Sequence, residues 1–135
     1  MSTKLINVAN SVFRLAKMES YITPIFMKAE DSLTQTLQAN GVTDQIDFLL
    51  LDHDKPRYLS DIKDLEQSKY LKSGSYVSAD NVVFNRLDEY RQHMRALALK
   101  GIVETRLDTM NLEYSNNLKD GIEMTVYLKD PLIGA

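Results

Sequence analysis

The chain has 135 residues, 44% apolar and 26% charged, a balance that suits one ordinary folded domain and excludes an intrinsically disordered segment. It has no cysteine, which excludes disulfides, thiolate catalysis and cysteine-ligated zinc or iron–sulfur centres and leads us to expect a reducing, cytoplasmic setting. No apolar run exceeds four residues, as in Phe48 to Leu51, and no unbroken apolar core opens the chain, so neither a membrane span nor a secretory signal is expected.

The formal charge of −3 is unevenly spread: residues 55–106 hold ten Lys or Arg against seven Asp or Glu, while 1–54 hold four against seven and 107–135 two against five. A basic centre between acidic flanks can still meet phosphates, because the local field matters more than the total.

In chain order, Leu5, Val8, Ala9, Val12, Phe13 and Ala16 recur at helical spacing and predict a helix over 4–18. Thr23-Pro24 reads as a fresh helix start, with Phe26, Ala29, Leu33 and Leu37 on one face and Asn40-Gly41 as its left-handed stop. Thr43 caps a third expected helix with Ile46, Leu49 and Leu50 inward, which ends at His53-Asp-Lys-Pro56. Ser60-Asp61 opens a fourth with Ile62, Leu65 and Tyr70, broken at Ser73-Gly74-Ser75. Ser78 caps a fifth, with Asp80 near its positive end and Val83, Leu87, Tyr90, Met94 and Leu97 carrying it to Gly101. A strand over 102–107, a polar loop over 108–120 with some pairing near 111–114, and a second strand over 122–128 follow, closed by Pro131.

Five helices and a hairpin make the expected fold class mainly α with a C-terminal β-hairpin (α+β). The order is that of a winged helix-turn-helix: a single domain over 1–135, with extra N-terminal helices in 1–41 and the winged part in 42–130. A major groove admits one helix, and residues 78–87 have what such a helix needs, namely a serine cap, short polar side chains and an apolar back.

The run Tyr76-Val-Ser-Ala-Asp-Asn-Val-Val-Phe-Asn-Arg-Leu is similar to the recognition-helix region of bacterial MarR-type winged-helix regulators. Leu59-Ser-Asp-Ile resembles their supporting helix, and Gly101-Ile-Val-Glu-Thr-Arg their exit into the wing. The resemblance spans about 42–129 and implies a transcription regulator that binds double-stranded DNA as a homodimer, with Asn81, Asn85 and Arg86 at base edges. Ser78 and the cations Lys72, Arg91, Arg95 and Arg106 are expected on the DNA backbone, and the apolar N-terminal helices at the dimer interface. The loop 108–120 has one Lys against three acidic residues, which favours a second reading: a non-enzymatic interaction or assembly protein, of phage or viral type, on the same frame without DNA.

No catalytic residue, metal site or cofactor is expected. His53 and His93 lack a second ligand at metal spacing; the Asp52-His-Asp54 run reads as an exposed helix end rather than a cation site, and the glycines form no phosphate loop. Tyr70 and Tyr90 are expected in the core.

Overall fold

The computed structural model describes residues 3–28, 30–113 and 115–131. They fall into two compact units, Met1–Val42 and Thr43–Ala135.

In the first unit, α1 spans Thr3–Leu15 and α2 spans Leu33–Ala39. The Leu5 to Val12 periodicity does form a helix, and Leu5, Val8, Val12 and Leu15 are exposed on it. Thr23-Pro24 starts no helix. The Lys28 N–H is taken by Asp31 Oδ2 at 2.8 Å, a local turn that competes with helical bonding, and α2 waits for its own cap, Ser32, which accepts the Gln35 N–H. Ala29, on the expected second helix, and Tyr114, in the expected loop pairing, lie outside the described residues.

The second unit is built on a four-stranded sheet in the order β1-β2-β4-β3. Its elements run β1 (Phe48–Leu51), a 3-10 turn (Lys55–Arg57), α3 (Tyr58–Gln67), β2 (Tyr76–Ala79), α4 (Asp88–Leu99), β3 (Val103–Asn111) and β4 (Lys119–Tyr127). β1 and β2 are parallel and joined through α3, while β4 runs antiparallel to both of its neighbours.

This corrects the mainly helical winged-helix expectation in two places. Phe48-Leu-Leu-Leu is not part of a helix but β1, the edge strand, paired along its whole length with β2; a short apolar run alone does not distinguish a strand from a turn of core helix, and here the pairing decides. Ser78 caps nothing. It sits mid-strand between Leu50 and Met124, and Asn81 and Arg86 then adopt φ of +59° and +52°, left-handed values that no helix interior tolerates. The helix starts only at Asp88, so there is no recognition helix at 78–87. The expected hairpin does form, in register from Val103↔Tyr127 to Asn111↔Lys119. It is half of the sheet, however, and β4 is inserted beside β2 rather than projecting as a wing.

One face of the sheet buries Val77, Ala79, Val103 and Tyr127, and the helices bury Tyr58, Ile62, Leu65, Tyr90, Met94 and Leu97. Tyr70 and Tyr90 are in the core, as expected. The opposite face carries the exposed side chains Phe48, Leu50, Tyr76 and Met124. Inside, Tyr127 donates to Glu66 Oε1 at 2.6 Å, and His93 Nε2 lies 2.9 Å from Glu66 Oε2. Burial, reinforced by Glu66 and, for Tyr90, by Glu123, pushes both the Tyr127 and Tyr90 hydroxyls far up, so they stay protonated. The Tyr90 hydroxyl is buried with no hydrogen-bond partner among the described residues.

That contrast separates two substitutions. Tyr127→Phe removes a donor from a buried carboxylate and lowers stability by about 1–3 kcal/mol. Tyr90→Phe removes an unsatisfied hydroxyl and leaves stability unchanged or higher. Urea unfolding midpoints should place Tyr127→Phe below the parent protein and Tyr90→Phe at or above it.

Candidate active site

β1 and β2 end at the same level, with Leu51 paired to Ala79. The ladder runs one bond further, from the Asp80 N–H to Leu51 O at 3.0 Å. Neighbouring strands lie about 4.8 Å apart, so Asp52 leaves β1 and Asp80-Asn81 leave β2 side by side. In open α/β sheets the crevice beyond the carboxyl ends of parallel strands is where ligands bind.

Lys55 stands over this mouth on the 3-10 turn, which Pro56 pre-shapes. Its ammonium donates to Asp52 Oδ1 at 2.8 Å and to the Tyr58 hydroxyl at 2.9 Å. Burial works to lower the Lys55 pKa, but the bonds to Asp52 and Tyr58 and their charges outweigh it and hold it above the usual 10.5. Lys55 is therefore a fixed cation. The Tyr58 hydroxyl donates to Leu51 O at 2.6 Å and lies 3.2 Å from Asp80 O, so one phenol touches the last residue of β1 and the first beyond β2. Burial raises its pKa, with Lys55 opposing. The Tyr58 ring is flanked by His53, stacked at 5.1 Å, and His53 in turn meets Asp61, which also binds Arg57 at 3.0 Å.

On the other side, Asp80 Oδ1 accepts the Asn81 N–H at 2.8 Å, and Asn81 Nδ2 donates to Asp120 Oδ2 at 2.8 Å. Asp120 is buried on β4; its Oδ1 takes the N–H groups of Phe84 at 3.0 Å and Gly121 at 2.7 Å. Burial favours the neutral acid, yet the bonds from Phe84, Asn81, Gly121 and Val83 prevail and hold Asp120 below the usual carboxylate range, as an anion.

Asp52, Asp80 and the Asn81 amide oxygen are hard donors of the kind that hold magnesium or manganese. Among the described residues no three His, Asp or Glu side chains form a metal-binding group, so such a set needs the amide to complete it.

The residues singled out from the sequence scatter over the unit. Asn81, Asn85 and Arg86 share the loop after β2, where Asn85 Nδ2 donates to Asn81 O at 3.1 Å. Ser78 lies within β2, and Lys72 precedes the strand, at its opposite end. Arg91 is half-buried on α4 against Glu123 at 3.5 Å, Arg95 is exposed on the same helix, and Arg106 pairs with Asp108 on β3 at 2.8 Å. Sequence reasoning missed Asp52, Lys55, Asp80 and Asp120. The available signal was an acidic residue directly behind each short apolar run, Leu51-Asp52 and Ala79-Asp80, which marks a strand mouth once those runs are read as strands. Among the described residues no helix is long and apolar enough to cross a membrane.

No protein-family model matches the chain. It is 32% identical over 120 residues to the catechol O-methyltransferase of Sus scrofa, an alignment that covers 89% of this chain and 62% of that protein. A probable O-methyltransferase of Mycobacterium tuberculosis is 42% identical over 65 residues, 48% of this chain and 27% of its own length. The crystal structure of the O-methyltransferase from Bacillus cereus in complex with SAH superposes with a TM-score of 0.68 at 22% identity, over 93% of this chain and 59% of that one. The chain thus spans about three fifths of the pig relative and of the solved structure it matches. These likenesses overturn the MarR-type resemblance, the DNA-binding regulator with its double-stranded DNA partner, and the expectation that the chain is not an enzyme. The homodimer inferred for that regulator loses its basis, and the assembly-protein reading falls with the winged-helix frame. The sheet and its helices match part of the Rossmann-like fold of that solved structure.

Proposed function

We propose that this chain acts as an O-methyltransferase that moves a methyl group from S-adenosylmethionine to a hydroxyl of a small aromatic diol of the catechol class. The observation that carries the reading is that Asp52 with Lys55 and Asp80 with Asn81 leave the mouths of two adjacent parallel strands, joined through the Tyr58 hydroxyl. The likeness to catechol O-methyltransferases supports the choice of acceptor. A cytoplasmic setting belongs to the same proposal and is supported by the cysteine-free composition.

The transfer forms one O–C bond and breaks one C–S bond, leaving S-adenosylhomocysteine, and the hydroxyl passes its proton to solvent water as the O–C bond forms. A phenol titrates near pH 10, so at neutral pH the site has to favour the oxyanion. Lys55 does this as a fixed charge: its raised pKa makes it a poor base but a steady cation beside a developing phenolate. Asp52 and Tyr58 set where that charge stands, and Tyr58 is itself anchored to the Leu51 carbonyl. When bound, the donor supplies an electrophilic methyl on a sulfonium, and a divalent cation held by Asp52, Asp80 and Asn81 supplies charge that acidifies a neighbouring hydroxyl. A mouth with two carboxylates suits both cations.

Purified protein given S-adenosylmethionine, magnesium and catechol should yield the monomethyl ether by mass spectrometry; absence of that product contradicts the reading. Lys55→Met should lower the rate by about a hundredfold or more. Because the Lys55 pKa is raised, its charge is fully present below its ordinary 10.5 and is lost only as pH climbs through the raised value. The ratio of parent to Lys55→Met rates should therefore stay flat between about pH 6 and 9. A ratio that changes steeply in that window would mean Lys55 acts as a titrating base instead.

A further inference from the structure

The Asn81 amide has two ends, and only its oxygen can serve a cation or accept a hydrogen bond. Which end faces the strand mouths is settled on its other side. Asp120 Oδ2 can only accept, so the group it meets at 2.8 Å must be Asn81 Nδ2, and Oδ1 is left for the mouth. We infer that Asp120 of β4 is the positioning residue that orients the Asn81 amide. The inference rests on the methyltransferase reading for its purpose, though not for its geometry.

Asp120 is well built for this task. It is 3% exposed, and Oδ1 is already occupied by the N–H groups of Phe84 and Gly121, so the carboxylate cannot rotate without abandoning two backbone donors. The next residue closes the fit. A side chain on Gly121 would meet Val83 Cγ2 at 2.9 Å, Asp108 O at 3.0 Å and Leu107 Cδ1 at 3.0 Å, and Gly121 O also takes the Val82 N–H at 3.0 Å. The Asp-Gly pair of β4 thus clamps the loop after β2 from Val82 to Phe84, and holds Asn81 in its left-handed conformation. Asp120 does not reach the mouth itself; it acts through Asn81.

The two oxygens of Asp120 have separate jobs, and that yields an unusual test. In Asp120→Asn the remaining oxygen keeps the two backbone donors, and the new NH₂ faces the Asn81 NH₂. Two donors repel, so the Asn81 amide must turn over, offering its oxygen to the clamp and its NH₂ to the mouth. Adding Asn81→Asp puts a carboxylate opposite the new NH₂ and returns an oxygen to the mouth.

Two measurements on the full chain separate this inference from the reading beneath it. Hydrogen exchange of the Asn81 side-chain NH₂, followed by NMR without any cation, should be slow in the parent and at least tenfold faster in Asp120→Asn, with backbone spectra otherwise preserved. Equal exchange in the two overturns the inference whatever the protein does. Manganese binding, read by electron paramagnetic resonance, should weaken at least tenfold in Asp120→Asn and recover to within a few-fold in the double variant Asn81→Asp/Asp120→Asn. Loss in the single variant without recovery in a folded double variant also overturns it. A parent protein that binds no manganese defeats the cation site instead, and the exchange measurement then decides the orientation by itself.

Discussion

One hydroxyl, that of Tyr58, ties the mouth of the sheet together. It sits at the first residue of α3, buried, with Leu51 O at 2.6 Å, Asp80 O at 3.2 Å and Lys55 Nζ at 2.9 Å. Parallel strands have no hairpin to set their ends level, so β1 and β2 rely on the crossover helix for register. Tyr58 supplies it at the point where Asp52 and Asp80 diverge. The same phenol receives the lysine, so the alignment of the strands and the location of the cation are one constraint. Its ring is held from the sides by His53 and by Tyr90, whose centroids lie 5.1 and 5.9 Å away.

The second support comes from β4, the reversed strand that separates β2 from β3. A parallel neighbour would place its own carboxyl end beside the loop after β2. Here an antiparallel strand instead presents its own beginning, Asp120-Gly121, to that loop. The left-handed turns at Asn81 and Arg86 cost energy in a bare chain, and the donated bonds to Asp120 offset it. Deeper in, Glu66, His93 and Tyr127 join α3, α4 and β4 by buried hydrogen bonds, which specify how the helices sit on the sheet.

The parts of this architecture that could be read from the residues are those set by local pattern. The helix at the N-terminus, the helix carrying Ile62 and Leu65, the C-terminal hairpin and the burial of Tyr70 and Tyr90 all follow from spacing and turn chemistry within a few residues. The parts that could not be read depend on a distant partner. Phe48-Leu-Leu-Leu is as apolar as one turn of a core helix, and only pairing with residues 76–79 makes it a strand. Tyr76-Val-Ser-Ala was hidden by Ser78, a good cap by type, because the helical spacing that truly begins at Asp88 could be extended backward past two left-handed residues. With both strands lost, Asp52 and Lys55 looked like an exposed helix end. Asn81 was picked out for its hydrogen-bonding versatility, which is the property the loop uses, but as a reader of DNA rather than as a neighbour of Asp80.

The most direct test of the account is where a cation settles. Crystals of this chain soaked in manganese and measured near its absorption edge should show an anomalous peak bounded by Asp52, Asp80 and the Asn81 amide oxygen, with Lys55 alongside. A peak elsewhere on the surface, with those three side chains unengaged, would contradict the assignment of the strand mouths as the reacting site.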